Sequence, residues 1–252
     1  MLILITNDDG VHSPGLNALV AALGGLGRVV VVAPDRERSA AGHSLTLHSP
    51  LRADEIRPDV IAVDGTPTDC VNLGIHGLLS ERPALVVSGI NKGGNMGDDI
   101  TYSGTVAAAM EATMMGVPAM AVSLSSDSFH YDDFHFAGQA ALELSHKILD
   151  FGLPPDTFLN VNVPKGQPVG ACMTRQGKRR YGDIVVENID PRGRKYYWIG
   201  GGELGFENVE GTDFYAVNEG CVSITPLHLD LTNYSSFTGL SSWDLDIFTK
   251  LA

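Results

Sequence analysis

The residues best placed by type and spacing to do chemistry in this 252-residue chain are two neighbouring acids, Asp8 and Asp9, in the run Asn7-Asp8-Asp9-Gly10. Held close together and away from water, each carboxylate raises the pKa of the other. A divalent cation removes that cost. Asp carboxylates joined by Ser and Asn oxygens form a hard, all-oxygen set that suits Mg²⁺ or Mn²⁺ and disfavours zinc. An Asp-Gly turn with one acid capping a helix explains the same residues, and the pair alone does not choose between the two. A second stretch, Gly93 to Thr105, ends in Thr101-Tyr102-Ser103-Gly104-Thr105 and runs into an alanine-rich segment. A helix starting there offers free N–H groups and hydroxyls to an anion. Ser103 or Thr105 acting as a plain N-cap is the simpler account. Asp98 and Asp99 share this loop, as further ligands or as solvated charge.

Elements that could position these loops are visible around them. Apolar runs of strand length recur at Leu2 to Ile5, Val29 to Ala33, Ile61 to Val63, Leu85 to Ser88, Ala119 to Leu124 and Phe158 to Val163. Continuous Val/Ile/Leu runs suit strands covered on both faces. Helical stripes lie between them. Ser13-Pro14 is a cap and first-turn proline before Leu16, Leu19, Val20 and Leu23. Val71, Ile75, Leu78 and Leu79 form a second stripe, started near Thr68-Asp69. Val106 to Met115 has hardly a charge and reads as a buried helix, and Phe136, Ala140, Leu144 and Ile148 form a fourth. The alternation predicts an α/β fold with a doubly wound, mostly parallel sheet. Ligands in such sheets sit beyond the carboxyl ends of the strands. Three loops follow strands there: Asn7 to Gly10, Pro34 to Ser39, and Gly89 to Asp99. After about Pro164 the texture changes to Gly, Arg and aromatic residues without helical period. This predicts one domain over residues 1–252, a core over 1–164, and a C-terminal β-hairpin extension over 165–252. Cys221 to Pro226 is one more strand-like run, and Ser241 to Leu251 a closing helix.

Composition narrows the function classes. The net charge is −13 and the pI about 4.9, so a nucleic-acid backbone is repelled overall. Cys70, Cys172 and Cys221 are sparse, odd in number and without a CxxC pair, which fits a reducing compartment. The opening apolar run is too short for a signal h-region, and no run approaches a membrane span. A cytoplasmic protein with no membrane partner is expected. There is no P-loop, HExxH or GxSxG motif. Gly200, Gly202 and Gly205 satisfy GxGxxG but read as a glycine-rich turn. The eight histidines show no metal-ligand spacing. Asp127 to Asp133 reads as a solvated loop, and Lys178-Arg179-Arg180 as a solvated or subunit-facing hairpin. A signalling receiver module also carries an early acidic pair. It needs a phospho-accepting Asp at the end of a middle strand, where this chain has Ser88-Gly89-Ile90-Asn91.

Taken together, these loops resemble the SurE (survival protein E) family of metal-dependent nucleotidases. The matching pieces are Thr6 to Val11, Ala33 to Arg36 with Arg38-Ser39, Ser44 to Thr46, Gly65 to Val71, Ser88 to Asn91, Asn95, Gly97 to Asp99 and Tyr102 to Glu111. Gly211 to Asp213 and Val222 to Leu227 continue the match downstream. The stretches Ser125 to Asp133 and beyond Leu231 carry no matching pattern. The resemblance implies a Rossmann-like core, one divalent cation (Mg²⁺ or Mn²⁺), and hydrolysis of nucleoside 5′-monophosphates, with 3′-nucleotides and short polyphosphate as open extensions. It places metal ligands on Asp8, Asp9, Ser39 and Asn91, and catalysis on Asp8 and Asp9. It places phosphate contacts on Asn95, Ser103, Gly104 and Thr105. It also implies a homodimer or homotetramer, which the aromatic- and Arg-rich composition of about Lys165 to Gly220 suits.

Overall fold

The computed structural model describes residues 1–180, 185–199 and 205–243. In chain order the first elements are β1 (Leu2–Thr6), α1 (Pro14–Leu23), β2 (Arg28–Pro34), β3 (Ala53–Arg57), β4 (Val60–Val63) and α2 (Pro67–Leu73). Then come β5 (Leu85–Lys92), α3 (Gly104–Met114), β6 (Ala119–Ser125), α4 (His135–Phe151), β7 (Thr157–Pro164) and β8 (Gly170–Met173). The last are β9 (Arg179–Arg180), β10 (Val185–Ile189), β11 (Lys195–Ile199), β12 (Gly205–Phe206), α5 (Asp213–Asn218) and β13 (Cys221–His228). Nine strands form the central sheet in the order β3-β4-β2-β1-β5-β6-β7-β13-β8. The six strands from β4 to β7 run parallel, while β3 and β13 are antiparallel to their neighbours β4 and β7.

The expected α/β architecture is present, and the continuous apolar runs explain it. Along β1 the side chains alternate between two cores. Ile3 and Ile5 join Leu16 and Leu19 of α1 and Ala137 and Ala141 of α4. Leu2 and Leu4 join Val71 of α2 and Val106, Ala108 and Ala112 of α3 on the other face. Both faces of the sheet are therefore covered by helices. Helix α1 starts where Ser13-Pro14 predicts. Helix α2 starts earlier than its apolar stripe suggests. Thr66 caps it and exchanges hydrogen bonds with Asp69 in a capping box.

Three features depart from the sequence reading. Strand β3 was not expected, because all five of its residues are exposed and carry no apolar alternation. The sheet does not stop at Pro164, since β13 pairs with β7 and β8 pairs with β13. Helix α5 lies in a stretch expected to be free of helix, with Phe214 buried and stacked on Phe206 at 5.0 Å. The expected closing helix lies mostly outside the described residues, as does most of the GxGxxG match. Among the described residues no helix is long and apolar enough to cross a membrane.

Candidate active site

The carboxyl ends of β1, β2 and β5 meet at one edge of the sheet, and backbone bonds tie their loops together. Val11 donates its N–H to the carbonyl of Pro34, and Arg38 donates its own to the carbonyl of Asp8 at 2.7 Å. Asn7 braces the first loop from within. Its Nδ2 donates to the Gly10 carbonyl at 3.0 Å and to the Ser13 hydroxyl at 2.8 Å. The Ser13 hydroxyl in turn accepts from the Leu16 N–H at the start of α1. Strand β5 gains one residue relative to β6 between Ser88 and Asn91, a bulge next to the site.

Asp8 is 5% exposed and lies against the first turn of α3. Its Oδ1 accepts from the Thr105 hydroxyl at 2.5 Å, and its Oδ2 from the Thr105 N–H at 3.2 Å. A Cβ on Gly104 would stand 2.9 Å from Asp8 Cβ and 3.0 Å from its Oδ2. Only glycine lets the helix start come this close. Burial pushes the Asp8 carboxyl up to about 6; the Thr105 hydroxyl opposes the rise and the charge of Asp9 adds to it. Asp9 accepts at Oδ2 from the Lys92 N–H at 3.0 Å, with Lys92 Nζ 3.7 Å from Oδ1. Burial raises its carboxyl too, against the pull of Lys92 and with Glu37 adding to the rise.

The other expected residues are placed unevenly. Asn91 turns its Nδ2 to the Gly93 carbonyl at 2.7 Å, and among the described residues no donor reaches its Oδ1. Ser39 follows Arg38, but its hydroxyl is exposed and donates to Glu37 Oε1 at 2.7 Å; no contact joins it to either Asp. Ser103 caps α3 by accepting from the Val106 N–H. Asn95 is buried in a polar brace. Its Nδ2 donates to the Ser123 hydroxyl, its N–H donates to Asn162 Oδ1, and its carbonyl accepts from Asn160 and Asn162. Asp98 and Asp99 meet the backbone N–H and the guanidinium of Arg179. The Arg179 side chain is therefore held in cis rather than solvated, and its guanidinium also lies 4.8 Å from the Phe214 ring centre.

Two supporting groups lie in the matching pieces of the sequence but carry no expected role there. Glu111 of α3 is buried, accepting from Asn72 Nδ2 at 3.1 Å and standing 2.7 Å from His43 Nε2. Its only signal was a lone charge in an otherwise apolar helix. Asp213 is fully buried and accepts the N–H groups of Gly97 and Gly177 at 2.7 and 2.8 Å.

A sequence model of the Survival protein SurE family matches residues 3–183. The chain belongs to the SurE family. It is 68% identical over 245 residues to the 5′-nucleotidase SurE of Syntrophotalea carbinolica, covering 97% of this chain and 98% of that protein. It is 62% identical over 248 residues to the 5′-nucleotidase SurE of Geobacter sulfurreducens, with 97% and 94% covered. The crystal structure of the SurE protein from Aquifex aeolicus superposes with a TM-score of 0.83 at 46% identity, over 96% of this chain and 98% of that one. All eight expected site residues fall inside the SurE match, as do Glu111 and His43.

Proposed function

We propose that this SurE-family chain is a divalent-metal-dependent 5′-nucleotidase, releasing nucleoside and phosphate from nucleoside 5′-monophosphates. The observation that carries the reading is the pair of adjacent, buried carboxylates, Asp8 pressed against the first turn of α3 and Asp9 held by Lys92. Both are raised by burial, so an uncompensated pair is costly and a cation relieves it. Among the described residues no three His, Cys, Asp or Glu side chains form a metal cluster. The donor set is of another kind, with two Asp carboxylates and the free Oδ1 of Asn91. Such oxygens fit Mg²⁺ or Mn²⁺. The Ser39 hydroxyl joins them once it leaves Glu37.

When bound, the cation supplies polarisation of a phosphate oxygen and a more acidic water. The remaining work falls to the chain. Asp8 and Asp9 hold the charge, and Thr105 orients Asp8 through two hydrogen bonds. The Gly104 N–H and the Ser103 hydroxyl, at the positive end of α3, receive the negative charge of the phosphate oxygens. Asn95 fixes the loop leading into that turn. The reading includes a cytoplasmic enzyme acting as a homodimer or homotetramer. Supporting the oligomer, the β10–β11 hairpin exposes Val185, Ile189, Tyr197 and Trp198, and a lone hairpin needs another surface to lie on.

The test is phosphate release from nucleoside 5′- and 3′-monophosphates, short polyphosphate and glycerol phosphate, after chelation and after return of Mg²⁺ or Mn²⁺. Chelated protein is inactive, either ion restores turnover, and 5′-nucleotides have the highest kcat/KM. Full turnover after exhaustive chelation overturns the metal requirement. Equal kcat/KM for a nucleotide and glycerol phosphate leaves a general phosphatase.

A further inference from the structure

The β13–β8 end of the sheet carries two side chains that the acid pair does not use. Cys172 lies in β8 and Cys221 opens β13. The strands run parallel, with Cys221 opposite Gly170 and Cys172 opposite Ser223. Opposed residues share a face of a sheet, and so do residues two apart on one strand. Both cysteines therefore stand on one face, as diagonal neighbours. One step further along, the same diagonal brings side chains into contact. Thr174 and Ser223 have the same separation of 49 residues as the cysteines, and their hydroxyls lie 2.8 Å apart. At the cysteine step the residue opposite Cys221 has no side chain. A Cβ on Gly170 would lie 4.0 Å from Cys221 Sγ, so the space over Gly170 is open to that thiol. The two thiols hydrogen-bond to each other, and that bond is the main cause holding the Cys221 thiol above its ordinary value.

The third cysteine is of another kind. Cys70, in α2, is fully buried, and burial pushes its thiol well above the ordinary value, which makes it unreactive. Cys172 is exposed and Cys221 half-buried. An exposed thiol touching a second thiol has what a dithiol–disulfide couple needs: one sulfur that meets the oxidant and one that resolves the product. The strands also allow the motion. Diagonal neighbours typically stand about 7–8 Å apart, at the upper limit of what a disulfide spans. Closing the bond draws β8 toward β13, and β8 is the end strand of the sheet, four residues long and exposed throughout. A bond closed against such resistance is readily reduced. Between the two cysteines the chain leaves the sheet, forms the β10–β11 hairpin and α5, and returns. The bond clasps the root of that whole excursion.

We propose that Cys172 and Cys221 form a redox-active dithiol, which a small-molecule disulfide converts to a reversible cross-strand bond. The inference is independent of the nucleotidase reading. The Cys172 thiolate attacks one sulfur of the oxidant, forms a mixed disulfide and expels one thiolate. Cys221 then gives up its proton and attacks Cys172 Sγ, expelling the second thiolate. The two protein thiols are oxidised to one disulfide. The oxidant is reduced to two small thiols, which take up the two protons.

The test treats native, full-length protein with oxidised glutathione, then unfolds it in an alkylating reagent and counts free thiols by mass. Wild type goes from three free thiols to one, and proteolysis yields a linked Cys172–Cys221 peptide with Cys70 alkylated. Cys70→Ser forms the same bond, and Cys172→Ser forms none within the chain. An excess of reduced glutathione reopens the wild-type bond. Three remaining thiols, glutathione retained on Cys172, or a Cys172 bond between two chains each overturns the proposal. So does a bond that reduced glutathione fails to reopen. The wild-type count and linked peptide decide the matter by themselves, so a variant that misfolds does not alter the result.

Discussion

The acid pair and the β10–β11 hairpin are opposite ways of using the same chain. Around Asp8 every neighbour is supplied in cis. Strand ends, the start of α3 and three loops converge; Asp8, Asp9 and the Asn7 amide nitrogen find partners there, while Thr6 Oγ1, Asn7 Oδ1 and Ser88 Oγ are buried without one. The hairpin has a regular five-residue register from Val185↔Ile199 to Ile189↔Lys195 and little beneath it. Trp198 is 65% exposed and Ile199 84%. Charge is buried where apolar surface is expected, and apolar surface is exposed where charge is expected. On the function proposed above, each inversion marks a place that something outside the chain would complete: a cation and phosphate at the first, and a second subunit at the second.

The largest effect that sharpens this contrast comes from the acids. Asp8→Asn and Asp9→Asn each lower kcat by on the order of a hundredfold or more, because a lost charge weakens both the cation and the alignment it provides. Asp9→Asn should also raise the melting temperature of chelated protein by about 2–4 °C, since it removes a buried charge that folding disfavours. A variant that loses activity while gaining apo stability shows the pair is kept for chemistry. Wild-type rates in either variant, with metal bound, would place the site elsewhere.

Gly104→Ala comes next. Its Cβ must push against Asp8, and a displacement near 1 Å at a reacting centre costs ~100-fold in rate. Steady-state kinetics beside an unchanged circular dichroism spectrum would isolate that effect. For the hairpin, light scattering across dilution gives a dimer or larger at micromolar concentration. Replacing the hairpin by a short linker gives a monomer with the central sheet intact. A monomeric full-length protein would break the comparison at that end.

The smallest effect is on pH. Hydrogen bonding to His43 holds the Glu111 carboxyl below its ordinary value, against the pull of burial. A depressed carboxyl contributes stability above its unfolded pKa and loses it as pH falls through its folded one. Urea midpoints of chelated protein should therefore drop on acidification below about pH 4.5, and Glu111→Gln should flatten that drop.

How much of this was legible follows from the distance between partners. Asp8-Asp9 at the end of an apolar run, Ser13-Pro14 before α1 and Ser103 before α3 are local signals, and the strands between them carry burial on both faces in their composition. Strand β3 is written only in its backbone pairing with β4, because Ala53 to Arg57 are all exposed. The Glu111–His43 contact spans 68 residues and the Arg179–Asp99 contact 80, so neither leaves a mark in the neighbouring sequence. Ser39 shows the opposite limit. Its motif is plain, while its hydroxyl is turned to Glu37.

Asp213 has a consequence for the order in which the protein is made. The N–H of Gly97 ends on a carboxylate 116 residues later in the chain. At about 5–20 residues per second, synthesis takes on the order of ten seconds to cover that interval. Asp8 and Asp9 are made before it begins and α3 early within it, while the loop before α3 waits for its distant anchor. Strand β13, which continues the sheet beyond β7, arrives later still. A nascent chain stalled before residue 213 therefore carries the acids without the carboxylate that anchors the Gly97 loop.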